Sequence, residues 1–111
     1  MLIFPLKKQW YDKIKSGEKT VEYREVKPYW TDRIFCEYPK GLRINAMRVL
    51  RSKGAEGENC NIPCRLRLGY TKHFMTATIT KIAMVDGKDT DLHIDKSVYA
   101  IHLNDVKEMK Q

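Results

Sequence analysis

The sequence predicts one small α+β domain, in which short strands curl into a barrel-like sheet and two or three short helices pack around it. Apolar residues recur with a helical period only in the first third of the chain, whereas strand-like patterns dominate the rest. Several short strands in a chain of 111 residues favour a curled sheet. Because 42% of the residues are hydrophobic, residues 1–111 can share one core, and we expect a single domain.

The chain begins with an apolar stretch, residues 2–4, that predicts a short buried strand. Pro5 suits the first turn of a helix, where its missing N–H is no loss. An apolar stripe with a spacing of four predicts that helix over residues 6–16, and Gly17 can take the left-handed conformation that ends it. The stripe consists of Leu6, Trp10 and Ile14.

A period of two follows over residues 20–26 and predicts a strand with Val21 and Tyr23 on one face and charged residues on the other. Pro28 then begins a second short helix. Its apolar side is supplied by Trp30 and Ile34, four residues apart.

The remaining two thirds of the chain predict strands and loops. Asn104 could cap a short C-terminal helix. Glycine and asparagine mark the first loop, and Asp86-Gly87 with the acidic residues after it marks the second. The predicted strands are residues 44–50, 65–68, 74–84 and 97–103, and the predicted loops are residues 51–63 and 85–96.

Positive charge is concentrated in the middle of the chain. The formal net charge is +7, and residues 40–72 hold eight basic and two acidic residues, which leaves +6 in that segment. A basic segment in a folded domain indicates an anionic partner, most often the phosphates of a nucleic acid. The alternative is a solvated face that keeps a small protein soluble.

The three cysteines are expected to be reduced thiols, since an odd number cannot pair within one chain. Cys60 and Cys64 could hold zinc together with Cys36 and one histidine, but two close pairs are the usual pattern, and we expect no metal and no cofactor. The longest apolar stretch, residues 1–6, is too short to cross a bilayer and has no signal-peptide features. We therefore expect a cytoplasmic protein with no membrane partner.

The segment most informative about function is residues 17–24, in which Glu22 and Arg24 leave the same face of a strand about 7 Å apart. Strict alternation places Lys19 on the opposite face, so it can join them only from the turn or through a bulge. A carboxylate beside two cations stays ionised and can accept hydrogen bonds, while the guanidinium can hold phosphate. The alternative is an ion pair on a solvated face, which contributes about 0–1 kcal/mol.

This segment resembles the signature Gly-x-Lys-x-x-Glu-x-Arg of the ASCH family, a branch of the PUA-like superfamily. Gly17, Lys19, Glu22 and Arg24 occupy its four fixed positions. Residues 22–33 are also similar to small bacterial and phage members of that family. The resemblance implies a small PUA-like β-barrel with a cleft beside it, and an action on RNA or nucleotides.

We therefore expect binding of RNA or a nucleotide through the cleft and a basic surface. Phosphates would contact the cations, Glu22 would recognise a base or a 2′-hydroxyl, and aromatic rings would stack on bases. The candidate binding residues are Lys19, Glu22, Arg24, Tyr29, Arg33, Arg65, Arg67, Tyr70, Lys72 and His73.

The alternative is a small hydrolase with Lys19, Glu22 and Arg24 as catalytic residues. Some ASCH proteins that resemble this one deacetylate a modified cytidine with a Lys, a Thr and a distant Glu, but Glu22 stands here at the position of the Thr. Other relatives are proposed to be ribonucleases, in which Glu22 or His73 would serve as the base. A third hypothesis is an interaction or structural domain whose cleft is idle.

Overall fold

A curled five-stranded sheet with two helices forms the domain in the computed structural model, which describes residues 1–37 and 59–109. In chain order the elements are β1 (Leu2–Leu6), α1 (Lys8–Lys15), β2 (Val21–Glu25), α2 (Pro28–Glu37), β3 (Asn59–Leu68), β4 (Phe74–Asp86), a 3-10 turn (Gly87–Asp89) and β5 (Ser97–Met109). This arrangement confirms the α+β class and the curled sheet.

The strands lie in the order β1-β3-β4-β5-β2, so that β1 and β2 are the two edges of the sheet. β1 runs parallel to β3, and the other neighbouring pairs are antiparallel. Curling brings the edges within reach of each other, because the Arg24 side chain on β2 donates a hydrogen bond of 2.7 Å to the Pro5 carbonyl on β1. The sheet is therefore a half-barrel whose edges face one another near Arg24.

The core lies on the concave face of the sheet. Residues with a spacing of two on β1 and β3 are buried there, as their alternating sequence requires. α1 packs against β3 and β5, and α2 packs against β1. A hydrogen bond of 2.6 Å between Thr31 and Tyr99 also fixes α2 to β5. The most enclosed core side chains include Phe4, Ile14, Ile34, Leu66, Met75, Ile79, Ile82 and Ile101.

The predicted start of the first helix was wrong. Pro5 lies in β1 beside Arg67, and α1 begins only at Lys8. Proline is tolerated there because β1 is an edge strand, where one side of the backbone needs no ladder hydrogen bond. The end of α1 was predicted correctly, since Gly17 has a φ of +85° and its N–H bonds to the carbonyl of Ile14.

Residues 59–63, predicted as loop, belong to β3. Pro63 is accommodated because β1 pairs only with residues 64–68, which leaves β3 with one neighbour at that point. The predicted strand at 44–50, the loop at 51–58 and the basic residues from Lys40 to Lys53 lie outside the described residues.

The C-terminal helix after Asn104 was also wrong. β5 continues through Asn104 to Met109, because the extended β4 pairs with it as far as Phe74. A register shift in this hairpin accommodates Asp105, whose φ is +51°. The second loop begins two residues later than predicted, since β4 includes residues 85–86.

Candidate functional site

Glu22 and Arg24 point to the concave face of the sheet. In the register of β2 and β5 they lie opposite Ile101 and Tyr99, which are both buried core residues. The whole Glu22 residue is only 6% exposed. The charged face predicted for this strand is therefore directed inward, and the hypothesis of an ion pair on a solvated face was wrong.

The Glu22 carboxylate is the centre of the charged group. One oxygen, Oε1, accepts a hydrogen bond of 2.9 Å from the backbone N–H of Tyr23 and lies 3.9 Å from the Lys19 ammonium. The other oxygen, Oε2, accepts a bond of 3.3 Å from Arg24. A carboxylate offers about four acceptor positions, so Glu22 retains the capacity to accept from a ligand.

Lys19 joins this group from the turn that precedes β2, which resolves the conflict with strict alternation. Its ammonium also pairs with Asp91. The same nitrogen lies 5.2 Å from the centre of the Trp10 ring and 4.9 Å from that of Tyr23. Because its side chain is only 9% exposed, Lys19 is a largely buried cation that is held by carboxylates and aromatic rings.

Arg24 is held as firmly as Lys19. Besides its bonds to Glu22 and to the Pro5 carbonyl, its guanidinium lies 5.4 Å from the Phe4 ring centre and 5.0 Å from that of Trp30. Its Nε is buried and finds no hydrogen-bond acceptor within the described part of the chain. The Arg24 side chain therefore joins the two edges of the sheet.

The loop after β4 presents Asp91 to Lys19. Its centre is Gly87, whose carbonyl accepts hydrogen bonds from the backbone N–H groups of Thr90 and Ile94. A Cβ at Gly87 would lie 2.6 Å from the Lys96 carbonyl oxygen and 2.8 Å from the Ile94 side chain. Only glycine fits there without displacing backbone, so this residue fixes the loop that carries Asp91.

A cleft of about 340 Å³ opens beside Glu22 and Arg24. Trp10 and Trp30 both line it, and they are the two tryptophans of the sequence. Its charges are balanced at three cations and three carboxylates, so the cleft suits a planar group with hydrogen-bond donors better than a bare anion. The charged lining residues are Lys7, Arg24, Lys27, Glu22, Glu25 and Asp91.

Lys19 does not line this cleft. It lines an adjoining hollow of about 300 Å³ on the other side of Trp10, Tyr23 and Asp91, which border both spaces. Burial raises the pKa of the Tyr23 phenol, and the carboxylates of Asp91 and Glu22 raise it further. The phenol beside the cleft therefore stays neutral, and able to donate a hydrogen bond, to a higher pH than an ordinary tyrosine does.

Four other predicted residues gather at a second hollow, of about 550 Å³, which is bordered by β1, α2 and the end of β3. They are Tyr29, Arg33, Arg67 and Tyr70, and we call them the outer surface. The remaining three predicted binding residues line none of these three spaces: Arg65 lies over the Phe74 ring, and Lys72 and His73 are exposed at the β3–β4 hairpin end.

Sequence reasoning missed several lining residues of the cleft. Trp10 and Trp30 were assigned to helix packing because of their spacing, yet each also borders the cleft. Pro5 and Asp91 reach it from distant parts of the chain, and no local pattern signals that. The described residues contain no cluster of His, Cys, Asp or Glu suited to a metal ion. Burial raises the pKa of the Cys64 thiol to about 12, which disfavours the thiolate that metals bind.

Comparisons of the chain with protein-family models, with curated proteins and with solved structures find no match. Within the described ranges, neither helix is long and apolar enough to span a bilayer.

Proposed function

We propose that this protein binds RNA or nucleotides and that one base occupies the cleft. The observation that carries the proposal is the combination of a buried carboxylate, Glu22, with two tryptophans around a single cleft. A nucleobase has flat apolar faces, which stack on aromatic rings, and N–H groups on its edge, which a carboxylate accepts. The balanced charge of the cleft fits an uncharged base.

The proposal also assigns the phosphate. Lys7 and Lys27 line the cleft and are exposed, and neither is paired with a carboxylate in the described residues. They would contact the phosphate of a nucleotide whose base lies inside. The resemblance of residues 17–24 to the ASCH signature supports this function, and we propose that the half-barrel is a PUA-like domain of that family.

Catalysis is the less favoured proposal. The cleft lining contains no serine, threonine, cysteine or histidine among the described residues, so no hydroxyl or thiol nucleophile faces a bound base apart from the neutral Tyr23 phenol. Lys19 is already engaged by two carboxylates. The hydrolase hypothesis therefore stays a prediction. Incubation of the protein with RNA and with acetylated cytidine would test it.

Tryptophan fluorescence tests the binding proposal directly, because both tryptophans line the cleft. Titration with the four nucleoside monophosphates is expected to quench the emission. Glu22→Gln keeps the shape but loses the charge, and it should weaken binding of bases with an amino group by about tenfold, the worth of one charged hydrogen bond. Glu18→Gln, an exposed position outside the cleft, is the matched control. No quenching by any nucleotide would contradict the proposal.

A further inference from the structure

The outer surface exposes aromatic rings that contribute little to the core. Tyr70 is 89% exposed and Tyr29 is 52% exposed. An apolar side chain left in water gains almost none of the free energy that burial provides, so folding alone does not explain two such rings at one hollow. Met1 adds a third exposed apolar side chain to the same lining.

Arginines accompany these rings. The Arg33 guanidinium lies 3.5 Å from the centre of the Tyr29 ring and donates to the Tyr29 carbonyl at 3.1 Å. Neither Arg33 nor Arg67 has a carboxylate partner within the described parts of the chain, although Asp32 also borders the hollow. Their remaining N–H donors are free to bind phosphate in bidentate fashion.

The outer surface is continuous with the cleft. Pro5 lines both hollows, and its neighbour across the sheet is Arg67. Trp30 in the cleft and Tyr29 on the outer surface are consecutive residues, and their rings meet edge to face at 4.9 Å. A chain of nucleotides can therefore pass from one hollow to the next over Pro5.

We propose that the outer surface binds the nucleotides adjacent to the one in the cleft, so that the ligand is single-stranded RNA and not a free nucleotide or a duplex. Exposed rings beside unpaired cations are the combination by which proteins bind single strands. A base can enter the cleft only when it is unstacked, which a duplex does not permit without opening. This inference rests on the proposed function of the cleft.

The experiment compares the binding affinity of a nucleoside monophosphate with that of RNA hexamers of mixed sequence. Binding is measured by tryptophan quenching and by fluorescence anisotropy. The hexamer should bind at least tenfold more tightly than the monophosphate. Tyr70→Ala should weaken the hexamer about 5- to 100-fold, the range found for loss of one stacked base, and leave the monophosphate unchanged. Tyr70 is so exposed that its removal should leave the fold intact.

Arg67→Ala and Arg65→Ala form a matched pair, because both residues lie on the same face of β3 and only Arg67 lines the hollow. Arg67→Ala should reduce the salt slope of hexamer binding by about 0.7, and Arg65→Ala should leave it unchanged.

The outcomes separate the two proposals. If the monophosphate binds, but the hexamer binds no more tightly and its affinity is unchanged in Tyr70→Ala, the inference is overturned while the proposed function stands. If neither ligand quenches the tryptophans, both fail. Concentration-dependent self-association that is lost in Tyr70→Ala, with hexamer binding unaffected, would assign this face to a protein contact and likewise overturn the inference.

Discussion

The cleft and the outer surface use their cations in opposite ways. In and beside the cleft, Lys19 and Arg24 are fixed by Glu22 and enclosed by aromatic rings. On the outer surface, Arg33 and Arg67 have no described carboxylate partner and lie beside exposed rings. The charges of Lys19 and Arg24 therefore shape a site, whereas those of Arg33 and Arg67 are available to a ligand.

This difference separates specificity from salt-dependent affinity. A site that is already neutral recognises its ligand by shape and hydrogen bonds, and its affinity depends little on ionic strength. Free cations bind phosphates of any sequence, with an affinity that falls as salt rises. The cleft should thus select the base, and the outer surface should retain the strand.

The largest expected effect follows from removal of Glu22. Glu22→Ala leaves the enclosed Lys19 and Arg24 without the carboxylate that joins them, and loss of one member of a buried ion group typically costs about 3–5 kcal/mol. We expect the free energy of unfolding, measured by urea denaturation, to fall by about 3 kcal/mol. Glu18→Ala, at an exposed turn position, should change it by less than about 0.5 kcal/mol. Equally small changes in the unfolding free energy of both variants would show that the charged group does not stabilise the fold.

A second prediction concerns the loop that carries Asp91. Gly87→Ala places a methyl group against the Lys96 carbonyl and the Ile94 side chain, so we expect a loss of about 1–3 kcal/mol in unfolding free energy from overpacking. Nucleoside binding in the cleft should weaken with it. Lys88→Ala, the exposed neighbour, is the control. A variant as stable as the parent would mean that the loop is not fixed through Gly87.

Ionic strength distinguishes the two regions without any substitution. Phosphate contacts at Arg33, at Arg67 and at the cleft lysines Lys7 and Lys27, three phosphates in all, predict that hexamer affinity falls about 18-fold between about 50 and 200 mM salt. Affinity for an uncharged nucleoside, which can use only the cleft, should hardly change. Calorimetric titrations at both salt concentrations measure this, and a strong salt dependence for the nucleoside would remove the distinction.

The smallest expected effect is on alkaline stability. The pKa of Tyr23 is raised by burial and by the carboxylates of Asp91 and Glu22, so folding favours the neutral phenol. Its contribution to stability is complete below the unfolded-state pKa of about 10 and is lost as pH rises through the higher folded-state value. Urea midpoints compared at about pH 9 and pH 11 should therefore fall less in Tyr23→Phe than in the parent. An identical fall in both would contradict this assignment.

Local patterns predicted much of what positions the charged group. The helix end at Gly17 and the alternation of β2 depend on neighbouring residues, and the structure confirms both. For Lys19 the sequence left two positions open, a turn or a bulge, and the structure places it in the turn before β2. Local patterns did not predict that the charged face of this strand is buried. Burial of Glu22 depends on the curvature of the sheet and on Ile101, almost eighty residues away in sequence.

Contacts over long sequence distances account for the other misses. The cleft is assembled when β1 and β2 close on each other through Pro5 and Arg24, and when a distant loop delivers Asp91. The strand register that extends β5 past Asn104 is set by β4, not by the residues around Asn104. Pairing partners of this kind leave no periodicity in a single sequence.

A crystal structure of the protein soaked with a nucleoside monophosphate is the decisive test of whether the cleft binds a base. We expect a base in the cleft with its plane against Trp10, an N–H of its edge within about 3.2 Å of a Glu22 oxygen, and Lys19 and Arg24 still on either side of that carboxylate. A base bound elsewhere, or side chains of these three residues pointing to different sides of the sheet, would contradict it.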